Sequence, residues 1–194
     1  IAACASMFGA KRVIFSSSAS VYGPPPLNPY ALSKIMGEEV FHDYPELEVV
    51  LLRYFNVYGE RQPVRGDYAP VVGSFLKAKR SNEPLKVYGD GSQERDFVHI
   101  DDVIKCNILS AFSKNKEVSG SIINIGTGKS ISILSLAKMI DNNVKFLPGR
   151  DGEIEVSKAD TSNLEKILDF LPEDKIKQWV DNNNEPETVR QKDR

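Results

Sequence analysis

Tyr30 and Lys34 stand one helical turn apart, so their side chains project from one face and an ammonium can lie beside a phenol. A neighbouring positive charge favours the ionised phenol, and a group that titrates near ~10 in water becomes usable as a base near neutrality. Ser18 closes the hydroxyl run Ser16-Ser17-Ser18 after the strand-like stretch Val13-Ile14-Phe15, where it can pass a proton between a substrate hydroxyl and that phenol. The spacing alone also suits a half-buried Tyr with a Lys stem laid over it. The hydroxyl-rich strand end upstream and Pro29 at the helix entry favour the chemical reading.

For these groups to meet, a strand, a loop and a helix must follow one another. Residues 1–9 read as the end of a helix closed by Gly9. Residues 31–44 read as an amphipathic helix with Ala31, Ile35, Val40 and Phe41 inward and Glu38 and Glu39 outward. Residues 47–54 form a buried-strand run, whose carboxyl end is where a parallel sheet binds ligands. It ends in Tyr54, Phe55 and Asn56, which suit equally a ligand site and aromatics closing a core beside a turn Asn. The polar stretch 60–68 reads as a domain crossover. A helix over 71–79, a strand over 85–88 and a turn at Gly89-Asp90-Gly91 follow. His99, with no second ligand at metal spacing, reads as structural, and Asp101-Asp102 as the cap of a helix over 103–112. Residues 114–120 read as a polar loop. The strand 122–125 stops at Gly126-Thr127-Gly128, which lacks the Lys and Ser/Thr spacing of a Walker phosphate loop, and Ser132 caps a helix through 140. Short helices over 164–170 and 175–180 precede a polar, fraying tail from 182.

With 194 residues the chain can bury a real core, as one domain or two small ones. A net charge of −2 argues against a nucleic-acid footprint or a basic membrane patch. Cys4 and Cys106 offer neither a disulfide framework nor metal-ligand spacing, so the expectation is no metal and a reducing, cytoplasmic setting. No apolar run approaches the ~20 residues of a membrane helix.

The segments SSSASVYG, YALSK, LRYFNVYG, VYGDGSQERDFVHIDDV, NIGTGKS and PGRDGE, in this order across residues 1–160, resemble the extended short-chain dehydrogenase/reductases that act on nucleotide sugars, most of all UDP-glucose 4-epimerases. The resemblance implies an α/β fold: a Rossmann-like parallel sheet with a smaller α/β substrate-binding domain. It assigns 1–60, with 96–113 returning, to the NAD-binding domain, and 61–95 with 114–194 to the nucleotide-sugar domain. It implies NAD as cofactor, with Ser16, Ser17, Tyr30, Lys34, Tyr54 and Phe55 on the cofactor side and Ser18, Tyr30 and Lys34 catalytic. Ser18, Ser20, Asn56, Tyr88, Arg95, Arg150, Glu153 and Ser157 fall on the UDP-sugar, with Arg95 and Arg150 on the diphosphate and Tyr88 near the base. Glu153 would accept from the ribose, where relatives usually carry Asp. A homodimer through the helix 31–44 is implied as well. Two departures stand out. No glycine-rich dinucleotide motif occurs, so the expectation is that the N-terminal cofactor half is missing from this sequence. About a dozen residues usual between strand and helix are also absent after Gly23, as for a mobile active-site cover left out of the sequence.

Dehydratases and decarboxylases of this kind usually carry a carboxylate one or two residues after the active-site hydroxyl. Here those places hold Ala19 and Ser20, which cannot titrate usefully. The expectation is therefore 4-epimerisation of a UDP-hexose. A dehydratase, decarboxylase or reductase on a nucleotide sugar, or a non-catalytic nucleotide-sugar-binding relative, is the alternative. Small Ser157, at the position facing carbon 2 of the hexose, leaves room for an N-acetyl group.

Overall fold

The computed structural model describes residues 1–23, 28–64, 66 and 69–184. The expected cover after Gly23 and the expected fraying beyond 184 lie outside the described residues, as does part of the crossover. In chain order the elements are α1 (Ala2–Met7), β1 (Arg12–Ser18), α2 (Pro29–Val40), β2 (Glu48–Tyr54), β3 (Asn56–Tyr58), α3 (Val71–Arg80), β4 (Leu85–Tyr88), β5 (Glu94–Arg95), β6 (Phe97–His99), α4 (Ile100–Phe112), β7 (Ile122–Ile125), β8 (Ile131–Ser132), α5 (Ile133–Ile140), β9 (Val144–Leu147), β10 (Val156–Ser157), α6 (Ser162–Leu168) and α7 (Ile176–Asn183). The alternation of short strands and helices yields parallel pairing, as α/β chains do, except that β5 and β8 pair antiparallel.

The strand run of β1 pairs in parallel with β2, and β2 in parallel with β7, so Ser18, Tyr54 and Ile125 end side by side at one edge. Side chains alternate across this sheet. Val50, Leu52, Ile123 and Ile125 point with Ile14 into a core closed by α4 and α6, while Val13 and Phe15 face Phe41 beyond α2. Gly37 lets α2 approach this closely, because a Cβ there would stand 2.4 Å from the Phe15 ring. At the other end, Arg12 donates to the Ser110 and Ser113 carbonyls at 2.9 Å each, satisfying the C-terminal end of α4.

A second core lies under β4, where Val72, Phe75, Leu76, Leu85, Val87 and Leu136 bring α3 and α5 together with α7. Here β4 pairs in parallel with β9, and the small sheet β10-β5-β8 lies beside it. The parallel pair β3 and β6 ties this body to the first. Grouping 114–194 wholly with the second body does not follow the packing: β7 is the third strand of the first sheet, and Leu164, Ile167 and Leu168 of α6 fill its core. The pairing of Ile122–Ile125 joins strands distant in sequence, which periodicity does not encode.

Two local expectations also change. The cap of α4 is His99, whose Nδ1 accepts the Asp101 N–H at 3.3 Å, and Asp101 and Asp102 occupy the first turn, where acids suit the positive helix end. The loop 114–120 contains a 3₁₀ turn, Lys116–Val118, that buries Val118 completely.

Candidate active site

The helix expected over 31–44 runs from Pro29 to Val40: Asn28 Oδ1 accepts the Ala31 N–H at 2.8 Å and Pro29 occupies the first turn. That start sets Tyr30 and Lys34 on one face. Lys34 Nζ lies 5.6 Å from the Tyr30 ring centroid and donates to the Ser16 carbonyl at 2.9 Å, so the ammonium is tied to the strand end beside the phenol ring. Tyr30 is 47% exposed, open to a substrate. Ser18 closes β1 and accepts the Ser20 N–H at 3.2 Å. Among the described residues no hydrogen bond joins Ser18 to Tyr30. Among the described residues Ser20 Oγ is buried without a partner, an unmet polar group at the same strand end.

Glu38 continues the series 30, 34, 38 on the inner face, which corrects its outward assignment, while Val40, expected inward, is exposed. It is 6% exposed and receives Arg53 Nε at 2.9 Å, Arg53 Nη2 at 2.6 Å and the Ser17 hydroxyl at 2.5 Å. Burial pushes its carboxyl up, but the hydrogen bonds from Arg53 and Ser17 and the Arg53 charge outweigh this and hold it below its ordinary value. The inward choice follows from chemistry, because the Arg53 guanidinium at the sheet edge needs a carboxylate and α2 supplies one. Ser17, expected on the cofactor side, thus spends its hydroxyl on Glu38. Arg53 also lies 4.8 Å over the Tyr22 ring, and Tyr22 donates to Asn124 Oδ1 at 2.8 Å. One carboxylate therefore anchors the helix bearing Tyr30 and Lys34 to two strands and the turn after Ser18.

At the neighbouring strand end, the Tyr54 hydroxyl donates to Asn107 Oδ1 at 2.9 Å, so the Ser16 hydroxyl is the donor in their 3.0 Å contact. Phe55 is buried, and a cavity of about 390 Å³ opens beside it, lined also by Ala19, Tyr22, Asn124, Ser157 and Lys158.

A larger cavity of about 730 Å³ collects Asn56, Tyr88, Arg95, Arg150 and Glu153, residues from three separate stretches of sequence, together with Lys77 and Lys86. Arg150 stacks on Tyr88 with its guanidinium carbon 3.8 Å from the ring centroid. Arg95 is fixed by its bonds to the Glu94 carbonyl at 2.8 Å, the Ile154 carbonyl at 2.7 Å and the Glu153 carboxylate at 3.1 Å. Desolvation lowers the Arg95 value from its usual one, opposed by Glu153, and a guanidinium remains charged even so. Ile154 lines the smaller cavity while its carbonyl holds Arg95 of the larger one, and Ser157 is the register partner of Arg95 across β10 and β5. The two cavities thus share a wall. Ser16, Ser18, Ser20, Tyr30, Lys34 and Tyr54 line neither, and lie at the sheet edge around Ala19 and Phe55.

Sequence reasoning missed Glu38, Arg53 and Asn124. The four-residue step after Lys34 was the available signal for Glu38. Nothing local marks Asn124, whose role depends on the long-range pairing of β7.

No helix among the described residues is long and apolar enough to cross a membrane, and no cluster of metal-ligating side chains occurs among them. Residues 1–126 match the model of the NAD dependent epimerase/dehydratase family. A Methanocaldococcus jannaschii protein with the provisional name UDP-glucose 4-epimerase is 37% identical over an alignment that covers 90% of this chain and 64% of that protein. The UDP-N-acetylglucosamine 4-epimerase of Methanobrevibacter ruminantium M1, solved with UDP-N-acetylmuramic acid, superposes with a TM-score of 0.83 at 35% identity, covering 97% of this chain and 66% of that one. The UDP-glucuronic acid 4-epimerase of Bacillus cereus, solved with UDP-glucuronic acid and NAD, gives 0.84 at 29% identity, with 98% and 65% covered. The chain thus spans about two thirds of the length of these relatives. Matched over most of its length in sequence and fold, with its parallel strand ends and helix α2 arranged as described, the chain belongs to the NAD-dependent epimerase/dehydratase family.

Proposed function

We propose that the protein containing this chain interconverts UDP-hexoses at carbon 4, with Tyr30 as the group that takes and returns the 4-hydroxyl proton. One observation carries this reading: Lys34 lies beside Tyr30 and is tied to β1 at the Ser16 carbonyl, and the turn that follows β1, with Ala19 and Tyr22, lines the smaller of two cavities that share the wall made by Arg95 and Ile154.

The nucleotide fits the larger cavity, with its diphosphate on Arg95 and Arg150, its base toward Tyr88 and its ribose within reach of Glu153. The sugar then extends over the shared wall toward Ser157, Phe55 and the strand end of Ser18. Asn56 and the unpartnered Ser20 hydroxyl supply further polar contacts.

The residues present suit the nicotinamide end of NAD. Lys34 Nζ spends one donor on the Ser16 carbonyl and keeps two for a ribose, while Tyr30 and Ser16 are exposed at the same edge. NAD supplies reversible hydride exchange at the sugar carbon. Ser18 holds the reacting oxygen and Lys34 offsets the charge of the phenolate. Grip on the nucleotide by Arg95 and Arg150 keeps the ketone bound while it presents its other face, and proton return through Tyr30 completes the inversion.

The rival dehydration and decarboxylation need a further acid or base on carbon. Among the described residues the lining of the smaller cavity includes one carboxylate, Asp160, and hydrogen bonds from Ser162 hold it below its ordinary value, which disfavours it as a proton donor. The space at Ser157 supports acceptance of N-acetylhexosamines. A homodimer through α2 is supported by its exposed strip Leu32, Met36 and Val40.

The test incubates the product of the complete gene with NAD and UDP-galactose and follows the sugar by NMR. Equilibration of the carbon-4 epimers is expected. Loss of water from UDP-galactose, loss of carbon dioxide from UDP-glucuronic acid in a parallel sample, or binding without turnover, would replace this reading by one of its rivals.

A further inference from the structure

Asp96 lies between β5 and β6 and is completely buried. Its Oδ1 accepts the Thr127 N–H at 2.9 Å and the Thr127 hydroxyl at 2.8 Å. Its Oδ2 accepts the Gly128 N–H at 2.9 Å and the Ala159 N–H at 3.2 Å. Four donors from two distant segments converge on one carboxylate, and no cation is among them. Its main chain adds two links: the Asp96 N–H donates to the Ser157 carbonyl at 2.8 Å, and the Asp96 carbonyl accepts the Asn56 side chain at 2.9 Å.

These links cross from one body to the other. Thr127 and Gly128 form the turn at the end of β7, the strand paired with β2 in the first sheet. Asp96, Ser157 and Ala159 belong with the β5–β10 pair, which carries Arg95. A Cβ on Gly126 would stand 2.8 Å from Asp96 Oδ2 and 2.6 Å from the Ala159 Cβ, so the seam is closed to the limit of contact. From this we infer that the Asp96 carboxylate is a positioning residue: it sets the sheet that holds the nucleotide against the sheet that bears Ser18 and Tyr30. It thereby fixes where the sugar falls relative to the proton-transfer groups. The inference rests on the proposed function and adds to it a residue that touches neither ligand.

An amide at this position keeps one acceptor oxygen and turns an NH₂ group toward two of the four donors, so the turn or the 157–159 segment must move. Arg95, Arg150 and Tyr88 all stay on one side of the seam. In the product of the complete gene, Asp96→Asn lowers kcat/KM for UDP-galactose by about 30- to 100-fold, the effect of a reacting group misplaced by about an ångström. The Kd for UDP alone, measured by calorimetry, stays within about threefold. Val118→Ala, a cavity variant in the first core, serves as a control of comparable Tm loss that leaves both constants near wild type. If Asp96→Asn does not fold, Thr127→Val, which removes one donor to Oδ1, decides the matter with a loss of about three- to tenfold in kcat/KM at constant UDP affinity. A kcat/KM within about threefold of wild type in the folded variant, or a parallel collapse of UDP affinity, overturns the role of Asp96. A wild-type protein that neither binds UDP nor turns over overturns this inference together with the function it rests on.

Discussion

Glu38→Gln tests how the catalytic helix is held. The side chain is buried and accepts three hydrogen bonds, two of them from the Arg53 guanidinium, whose side chain is 17% exposed. Breaking a buried pair by removing one partner costs about 3–5 kcal/mol. The amide keeps one acceptor oxygen and Arg53 keeps some contact with water, so the loss falls to about 2–3 kcal/mol. For a chain of this size that is a fall in Tm of roughly 5–10 °C. The carboxyl sits below its ordinary value of 4.5, so its contribution is complete above the unfolded value and disappears as pH falls through the folded one. The stability gap between wild type and Glu38→Gln, from urea denaturation, is therefore widest near neutrality and narrows as pH falls below 4.5. A gap under about 0.5 kcal/mol at neutral pH, or one that stays constant down to about pH 3, would refute the reasoning.

Other consequences follow from the cavities and the core. Arg150→Ala removes a charged donor group and its stack on Tyr88, and is expected to weaken UDP binding by about 10- to 100-fold in calorimetry; an unchanged Kd removes Arg150 from the diphosphate. Ser157→Tyr fills part of the smaller cavity, so conversion of UDP-N-acetylglucosamine should fall at least about tenfold relative to UDP-glucose, and equal losses on both would contradict the assignment. Cys106 is completely buried and burial pushes its thiol up to about 12, whereas Cys4 is exposed. A thiol reagent should therefore label Cys4 at once and Cys106 only on unfolding, and prompt double labelling would be inconsistent with the core around α4.

What the sequence reveals of this protein depends on distance along the chain. Lys34 beside Tyr30, Pro29 at the entry of α2 and the Ser132 cap are local arrangements, set by helical spacing and side-chain chemistry, and they stand in the structure as the letters imply. Glu38 was readable by the same spacing. Treating every acid on an amphipathic helix as solvent-facing hid it, because its partner Arg53 comes from another strand. His99 takes the capping place that Asp101 seemed to claim, since an imidazole nitrogen can accept an N–H as a carboxylate does. The convergence of Asn56, Tyr88, Arg95, Arg150 and Glu153 on one cavity could be expected only from ordered motifs. Its cause is the meeting of β3, β4, β5 and the segment after β9 in space. Asp96 and Asn124 were beyond reach, because their partners lie on segments that only the long-range pairing of β7 and β10 brings near.

The central claim is that the Tyr30 phenol moves the proton. The decisive measurement compares wild type with Tyr30→Phe, each as the product of the complete gene with NAD and UDP-galactose, for both turnover and UDP-sugar affinity. Loss of the hydroxyl should lower turnover by about a thousandfold or more while affinity stays within about threefold. Turnover within about tenfold of wild type would contradict the account.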